Sequence, residues 1–426
     1  MLNVTMSCWS FATRDFKYSV YPTDPRMLCA AAGVAAAIHA GCSRKPNLPP
    51  RLDIKPVAIA ATEPSLAPQL TVSRDHALIS WMETQGRTTS LKFAERTASG
   101  WSDPRMVASG DDWFVNWADV PSVFRLDDGT IAAHWLESTE PASEAYDVRL
   151  AFSKDGGATW GPPLSPHHDG TATEHGFVSL FQAPGAGLGL VWLDGRALAD
   201  TNAKNGDNMS LRSAVFDRDG TQVSESLVDE RVCDCCPTAV AVTADGPLVA
   251  YRDRSTDEIR DISVSRVAGQ RWSQPATVHD DGWQIAACPV NGPALSARGR
   301  TVAVAWMTGK NDQGRAFAAF STDSGATFGP PVRLDDRASL GRVDIELLDE
   351  GSAVASWVEF ADERAQLRVR WVDQAGRRSP AQTIAGIGAG RASGFPRLAR
   401  VANEFLFAWT ETADGQSRIR TAAATW

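Results

Sequence analysis

The chain has 426 residues, of which 43% are hydrophobic, so it is long enough to bury a full core. Its formal net charge is −9, and no basic stretch supplies the footprint that binding to phosphates requires, which excludes nucleic acid as a partner. Length alone allows two or three domains, but the repeats described below favour one large domain.

Residues 1–42 are predicted to be an export signal. Residues 28–38 are apolar and uncharged, a length that suits a signal peptide and is too short to span a bilayer. The segment ends in His39-Ala-Gly-Cys42, which resembles a bacterial lipoprotein cleavage site except at His39, where an aliphatic residue is usual. We expect a lipid on Cys42, a membrane attachment through that lipid only, and a location in the periplasm or on the outer membrane, including the cell surface. The alternative is simple cleavage nearby, with Cys42 lost or left as a free thiol.

Residues 43–54 are rich in proline and are predicted to form a tether. The rest of the chain consists of repeats, because an apolar strand with an aromatic residue recurs at intervals of roughly 50 to 60 residues. These aromatic residues are Trp81, Trp135, Trp192, Tyr251, Trp306, Trp357 and Trp409. Another strand begins shortly before each of them, usually at a proline, and two shorter strands follow. Four short strands per repeat are typical of a β-propeller.

We therefore predict an all-β fold over residues 55–426, a single β-propeller of seven four-stranded blades. Six blades are the alternative if the first or last repeat is irregular. The last repeat ends after three strands, so residues 55–61 are predicted to supply its fourth strand, beside the strand around 417–424. The seven aromatic residues are assigned to packing between blades, since buried aromatic side chains dominate such cores. We expect a monomer.

Two hairpins, at 153–160 and 321–328, share the pattern S-x-D-x-G-x-T-aromatic. The aspartate can accept hydrogen bonds from its own turn, and the glycine can adopt a positive φ. Weaker copies stand at 217–220 and 373–376. The pattern resembles the Asp-box repeat of the sialidase superfamily, in which the boxes are structural and occur in many propellers that are not sialidases. Residues 233–238, 251–254 and 288–293 also resemble a group of bacterial exported proteins described as sialidase-like.

Strand direction sorts the polar residues onto two faces. In a four-stranded blade, the loop that enters the first strand and the loop after the second lie on one face, here called the mouth face, and the Asp-box hairpins lie on the other. The predicted ligand-binding residues of the mouth face are Arg196, Arg252, Arg254, Arg342, His175 and Asn291. Several guanidinium groups at a channel mouth favour a planar anion, so an acidic glycan or small carboxylate is the predicted ligand. The alternative is a structural Arg–Asp network between blades.

Four cysteines lie in the body of the chain, and Cys233 and Cys288 stand at matched positions before Pro237 and Pro293. In an oxidising compartment we predict disulfides among Cys233, Cys235, Cys236 and Cys288, with at least one between Cys288 and the other three. Four cysteines allow three pairings, and the sequence does not select one. The predicted protein has no cofactor and no bound metal. A thiolate metal site that includes His175 is the alternative.

Whether the protein is an enzyme is left open by the sequence. The resemblance to sialidases implies a late tyrosine nucleophile, but no tyrosine follows Tyr251. A glycosidase with two carboxylates remains possible, with Asp119, Asp253 and Asp344 as the candidate catalytic residues and Asp234 as a further carboxylate. The predicted function is binding, and in the catalytic case hydrolysis, of acidic glycans by a sialidase-like propeller. The alternatives are a non-catalytic surface propeller for a protein or glycan partner and a cysteine-based metal or redox module.

Overall fold

Seven antiparallel sheets follow one another along the chain in the computed structural model, which describes residues 48–140, 145–185, 187–199, 208–269 and 271–426. The predicted export signal, the lipid site at Cys42 and residues 43–47 of the tether lie outside the described residues. Within the described residues, no helix is long and apolar enough to cross a membrane. The fold is the predicted seven-bladed propeller.

The first strands of neighbouring blades contact one another in a complete ring and line the central channel. They are Ser65–Ser73, Ser122–Arg125, His175–Gln182, Ala239–Thr243, Ala294–Arg298, Ala338–Leu347 and Arg397–Val401. The second strands are His76–Gln85, Ile131–Ser138, Leu188–Asp194, Gly246–Arg252, Thr301–Thr308, Ala353–Ala361 and Glu404–Ala413. The third strands are Thr88–Thr97, Tyr146–Ser153, Met209–Phe216, Ile262–Ala268, Arg315–Ser321, Arg364–Val372 and Gln416–Thr425.

The outer strands vary in length from two residues to the eleven of Gln222–Val232. They are Arg105–Gly110, Gln222–Val232, Ala276–Thr277, Val332–Arg333, Gln382–Ile387 and Asp53–Val57, with the two-residue pieces Gly100–Trp101 and Arg271–Trp272 in the first and fourth blades. Three short 3₁₀ helices, Arg196–Ala199, Lys310–Asp312 and Arg391–Ser393, lie in loops.

The second blade has three strands, where four were predicted. An isolated bridge between Leu150 and Leu164 stands in place of its outer strand. The connecting segment contains Pro162, Pro163 and Pro166, which have no N–H group to donate to a ladder. The proline content of this segment therefore accounts for the missing strand.

The ring closes by pairing the two ends of the described chain. Asp53–Val57 lies antiparallel to Gln416–Thr425, with Asp53 opposite Thr425 and Val57 opposite Thr421. The closing strand thus begins inside the segment assigned to the tether and ends before residue 61. Leu52 is buried, and its backbone is held by the Gln382 side chain of the sixth blade, which explains why the propeller extends this far toward the N-terminus.

All seven repeat aromatic residues are buried on second strands, as predicted, with exposures between 0% and 8%. Most apolar clusters draw their side chains from two adjacent blades. In one cluster, for example, Ala303 and Phe320 of the fifth blade pack with Ile345 and Trp357 of the sixth. Burial of this repeated interface is the main apolar contribution to holding the blades together.

The two S-x-D-x-G-x-T hairpins have the same hydrogen bonds in the structure. In the first, Ser153 Oγ donates to Asp155 Oδ1 at 2.8 Å, and Thr159 donates to both Asp155 oxygens, at 2.9 Å from its N–H and 2.6 Å from its hydroxyl. Asp323 accepts the corresponding bonds from Ser321 and Thr327. Both hairpins follow the third strand, at the end opposite the mouth face.

The glycine of each hairpin seats the turn on the preceding blade. Gly157 has φ 86°, and a Cβ atom there would lie 2.4 Å from Phe93 Cζ. Gly325 has φ 78°, and its Cβ would meet Leu248. Glycine is required at both positions because the backbone is left-handed and because no space remains for a side chain.

Asp155→Ala and Asp323→Ala are each expected to lower the thermal unfolding temperature, because each removes the acceptor around which a hairpin is built. Ligand binding at the mouth face should not change. The matched control is Lys154→Ala, which removes only the exposed Lys154–Asp219 ion pair and should have almost no effect on stability. Thermal unfolding followed by circular dichroism measures the difference. Unaltered unfolding temperatures in both aspartate variants would contradict the structural role of the boxes.

Candidate functional site

The mouth face is defined by the pairing of first and second strands, whose start and end meet at pairs such as Ser65 with Glu83 and His175 with Asp194. Most of its acidic residues serve the blade cores. In four blades the indole N–H of the repeat tryptophan donates to a carboxylate two residues later, at 2.8 to 3.0 Å. The pairs are Trp81 with Glu83, Trp135 with Glu137, Trp192 with Asp194 and Trp357 with Glu359.

A basic residue completes each of these contacts. Lys92, Arg149 and Arg368 stand directly opposite the tryptophan on the third strand and pair with Glu83, Glu137 and Glu359. In the third blade Arg196 makes the contact with Asp194 at 2.6 Å. We call this set of aromatic residue, carboxylate and base the indole clamp. The charges of a clamp neutralise one another against the core, so the clamp of the third blade engages Arg196, which was predicted to bind a ligand.

The fourth and fifth blades obtain the acceptor from another part of the chain. The Tyr251 hydroxyl donates to Asp229 Oδ2 at 2.7 Å, and Trp306 Nε1 donates to Asp281 Oδ2 at 2.7 Å. Burial raises the pKa of Asp229 to about 6, although the bond from Tyr251 opposes that rise. Tyr251 is 1% exposed, so this tyrosine packs in the core as the tryptophans do.

The three candidate catalytic carboxylates are bound within the propeller wall. Asp119 is buried and accepts hydrogen bonds from Phe177 N at 2.8 Å and from Tyr146 Oη at 3.2 Å. Burial raises the pKa of Asp119 to about 7. Asp253 accepts from Arg254 N and Ser263 Oγ, both at 2.7 Å, and its pKa is also raised by burial.

Asp344 lies on the wall of the central channel, a cavity of about 240 Å³. Its carboxylate accepts from Ile345 N at 2.9 Å and from Leu398 N of the seventh blade at 2.8 Å. Burial raises its pKa to about 6. Asp119, Asp253 and Asp344 therefore belong to separate blades, and both oxygens of each carboxylate are engaged by the protein.

Arg252 and Asn291 form a joint between the fourth, fifth and sixth blades. Arg252 is 1% exposed, and its guanidinium donates to the backbone carbonyls of Asn291, Arg260 and Met307 while lying 4.9 Å from the Trp283 ring. Asn291 Oδ1 accepts from Arg342 N at 2.8 Å. These contacts hold loops together and leave Arg252 unavailable to a ligand.

Arg254 and Arg196 are ion-paired. Arg254 donates to Glu258 at 2.9 Å and lies 3.3 Å from Asp234. Arg196 contacts Asp194, Glu225 at 3.0 Å and Asp169 at 3.4 Å. Both guanidinium groups are thus neutralised by acids of the protein, as the predicted alternative of a structural network requires.

His175 lies in a buried polar cluster between the second and third blades. Its ring stacks on His167 with a centroid distance of 3.8 Å, and its Nε2 lies 3.2 Å from Asp169 and its Nδ1 3.7 Å from Asp147. Neither ring nitrogen has a well-oriented hydrogen bond among the described residues. Burial lowers the pKa of His167 to about 3, and Arg196 supplies positive charge to the cluster. Asp147, His167 and Asp169 were missed from the sequence, because they lie on a third strand and a connecting loop.

The four cysteines are brought together as free thiols, so no disulfide joins them in the structure. Cys233 Sγ and Cys236 Sγ are 3.2 Å apart, beyond the roughly 2.05 Å of an S–S bond. This corrects the prediction of disulfides while confirming that the two loops meet. His175 is not part of this group.

Arg342 differs from Arg196 and Arg254 because its partners are not acidic. It has φ 51° at a bulge that enters the first strand of the sixth blade. Its guanidinium donates to Ser393 Oγ at 2.6 Å and to Gly390 O at 3.0 Å, and it lies 5.4 Å from the Trp117 ring. Burial lowers the pKa of Arg342 to about 10, which leaves it cationic at neutral pH.

Trp117 marks a feature of the mouth face that the sequence did not single out. It is half-buried, stacks on Phe395 at 5.7 Å, and also has the exposed Arg391 guanidinium 6.0 Å from its ring. We call Trp117, Arg342, Arg391 and Phe395 the aromatic corner. No acidic partner of either arginine is present among the described residues. The signal in the sequence was weak, because Trp117 lies outside the strand repeat.

The comparisons with known proteins bear on the fold alone. A protein of unknown function from Dyadobacter fermentans has 14% identity and a TM-score of 0.50, covering 87% of this chain and 99% of its own. A mutant of NanB sialidase from Streptococcus pneumoniae has 10% identity and a TM-score of 0.47 over 83% of both chains. The polysaccharide lyase Uly1 has 8% identity and a TM-score of 0.49, covering 84% of this chain and 89% of its own. No family model and no curated protein matches the chain.

Glu346→Gln is expected to stabilise the propeller increasingly as pH rises. Glu346 lines the channel, and burial with the nearby charge of Asp344 raises its pKa to about 8 from 4.5. Between these values the unfolded chain ionises this group and the folded protein does not, so stability falls with rising pH by at most about 1.4 kcal/mol per pH unit. Because glutamine does not ionise, the Glu346→Gln variant does not lose stability in this way as pH rises.

Chemical denaturation at pH 5 and pH 8.5 measures the effect. The advantage of Glu346→Gln should grow between these values and level off above about pH 8. Glu363→Gln, at an exposed turn, is the control and should show a difference that does not change with pH. A constant difference for Glu346→Gln would show that its carboxyl is not protonated in the folded protein.

Proposed function

We propose that the protein is an exported propeller that binds carboxylate-bearing glycans at the aromatic corner. The observation that carries this proposal is the placement of two guanidinium groups, those of Arg342 and Arg391, against one half-buried tryptophan without an acidic partner among the described residues. Elsewhere on the mouth face, arginines such as Arg196 and Arg254 are paired with acids.

The chemistry of the corner suits an acidic sugar. The face of a tryptophan packs against the apolar face of a sugar ring, and guanidinium groups bind carboxylates with two parallel hydrogen bonds. Arg391 is exposed and can reach a ligand, whereas Arg342 is held by Ser393 and the Gly390 carbonyl and contributes fixed positive charge. We therefore assign ligand binding to Arg391 and Trp117 in place of the arginines that were predicted from the sequence.

Binding is favoured over hydrolysis. The described tyrosines, Tyr146 and Tyr251, are buried and donate to Asp119 and Asp229. A sialidase-type nucleophile would have to leave such a contact. The candidate acid/base groups Asp119, Asp253 and Asp344 are each engaged by two donors of the wall. We therefore propose a binding protein that needs no reaction at this site.

Arg391→Ala is expected to weaken binding of acidic oligosaccharides about 10- to 100-fold, since a hydrogen bond to a charged group contributes about 1.5–3 kcal/mol. Trp117→Ala should also weaken binding, and Arg391→Lys should retain part of it. Calorimetric titration of the full-length protein with uronate and sialic acid oligosaccharides measures these constants.

Two controls make the result specific. Arg364→Ala removes an exposed arginine at the start of the third strand of the sixth blade and should bind as the parent does. Neutral oligosaccharides of matched length should bind weakly to all variants. Equal binding by Arg391→Ala and the parent, or no binding of any acidic glycan, would refute the proposal. Glycoside turnover by the parent would show that the site is more than a binding site.

A further inference from the structure

Three sulfur atoms form a group at the mouth face, and a fourth, from a loop that is distant in sequence, lies beside them. Cys233, Cys235 and Cys236 lie in the loop that enters the fourth blade, and their sulfur atoms are within 4.8 Å of one another. Cys288 comes from the loop that enters the fifth blade, and its sulfur is within hydrogen-bonding reach of Cys235 but not within 4.8 Å of all three other sulfur atoms. Cys233 and Cys236 are buried, and Cys288 is exposed. The group therefore has a closed side within the wall and an open side toward solvent.

Contacts of the backbone fix the two loops against each other. Arg252 O accepts from Cys233 N at 3.0 Å, while Arg252 Nε donates to Asn291 O at 2.7 Å. Gly292 packs so closely on the first loop that a Cβ atom there would lie 1.8 Å from Pro237 O. The buried Arg252 thus ties both cysteine loops to one strand. The convergence of the sulfur atoms is imposed by these contacts and needs no covalent link between the loops.

Two arginine side chains lie beside the sulfur atoms. Arg252, which is 1% exposed, supplies positive charge near Cys233. Arg260, which is 2% exposed, also lies close to Cys233. The positive charge of these buried guanidinium groups offsets the negative charge that thiolate ligands would bring.

From this geometry we propose a metal site for one thiophilic ion with a filled d shell, Cu(I) or Zn(II), formed by Cys233, Cys235, Cys236 and Cys288. Thiolates select such soft or borderline ions, and four of them suit tetrahedral coordination. Each thiol that becomes a ligand releases its proton as the metal–sulfur bond forms, and no electron is transferred. The two arginines reduce the excess negative charge of a four-thiolate centre. The site is separate from the aromatic corner and does not depend on the function proposed there.

The rival outcome is oxidation to disulfides, which requires an oxidant and brings sulfur atoms to about 2.05 Å. Cys235 and Cys236 are adjacent in sequence and cannot pair with each other without strain. Two disulfides would thus have to join Cys288 to one member of the loop and leave the other two to pair. A single metal ion can bind all four sulfur atoms, so no particular pairing of the cysteines is required.

The test is titration of the reduced full-length protein with Zn(II) and, without oxygen, with Cu(I), each against a competing chelator. We expect one ion to bind per chain. The ion with the lower dissociation constant is the preferred ligand of the site. Cys288→Ser should weaken binding by tenfold or more and abolish the rise in unfolding temperature that the metal gives the parent. Because Cys288 is exposed, this variant should keep the circular dichroism of the parent. Cys235→Ser is the second variant and should behave in the same way.

His76→Ala is the control, since it removes an exposed imidazole at the end of the first blade opposite the mouth face and should leave the stoichiometry unchanged. Parent-like binding by both Cys288→Ser and Cys235→Ser overturns the proposal, as does the absence of binding by the reduced parent. Mass spectrometry of the unreduced protein, as isolated, then determines whether the four cysteines are free, metal-bound or paired as disulfides. Four free or metal-bound thiols support the site, whereas complete pairing of the four as disulfides with no metal overturns it.

Discussion

The propeller depends on the packing of one buried aromatic side chain per blade, and the polar N–H or O–H group of that side chain then calls for a hydrogen-bond acceptor. A repeat tryptophan supplies most of the apolar contact between two blades, but its N–H group cannot be left unpaired in the core without cost. A carboxylate two residues later lies on the same side of the strand and accepts it, as Glu83 does for Trp81. The carboxylate then requires a cation, which the third strand supplies directly opposite, as Lys92 does. Sheet geometry places all three groups of the indole clamp.

Departures from the clamp show which part of it is indispensable. Tyr251 and Trp306 keep a carboxylate acceptor but take it from Asp229 and Asp281, which lie earlier in the chain. In the seventh blade Trp409 Nε1 is buried with no partner among the described residues, while Glu411 pairs with Arg420. The aromatic side chain is retained in every blade, whereas its acceptor comes from a different position in two blades and is absent among the described residues in the seventh. Packing between blades is therefore the stronger constraint, and the clamp adjusts around it.

The clamp also determines where ligand chemistry remains. Because the second strands end at the mouth face, their acids and bases lie there and neutralise one another. Most charged side chains of this face therefore pair with the buried aromatic residues or with one another. Two groups stand outside the clamp system: the aromatic corner, whose arginines contact carbonyls and an indole, and the four thiols held by Arg252. The buried cluster around His175 is intermediate, since Asp194 belongs both to a clamp and to that cluster.

The sequence by itself favoured seven blades over six and predicted the closure between the two ends, the burial of the seven aromatic residues and the hairpins at 153–160 and 321–328, because each follows from the spacing of the repeats. It also indicated that Cys288 meets the 233–236 loop, since matched prolines set their positions. Only the tertiary structure decided which arginines are free. Arg252 is consumed by the carbonyls of Asn291 and Met307, whereas Arg391 has no acidic partner among the described residues, and no pattern around either residue distinguishes them. Acceptors for a long side chain come from distant loops, and their positions exist only once the blades have closed.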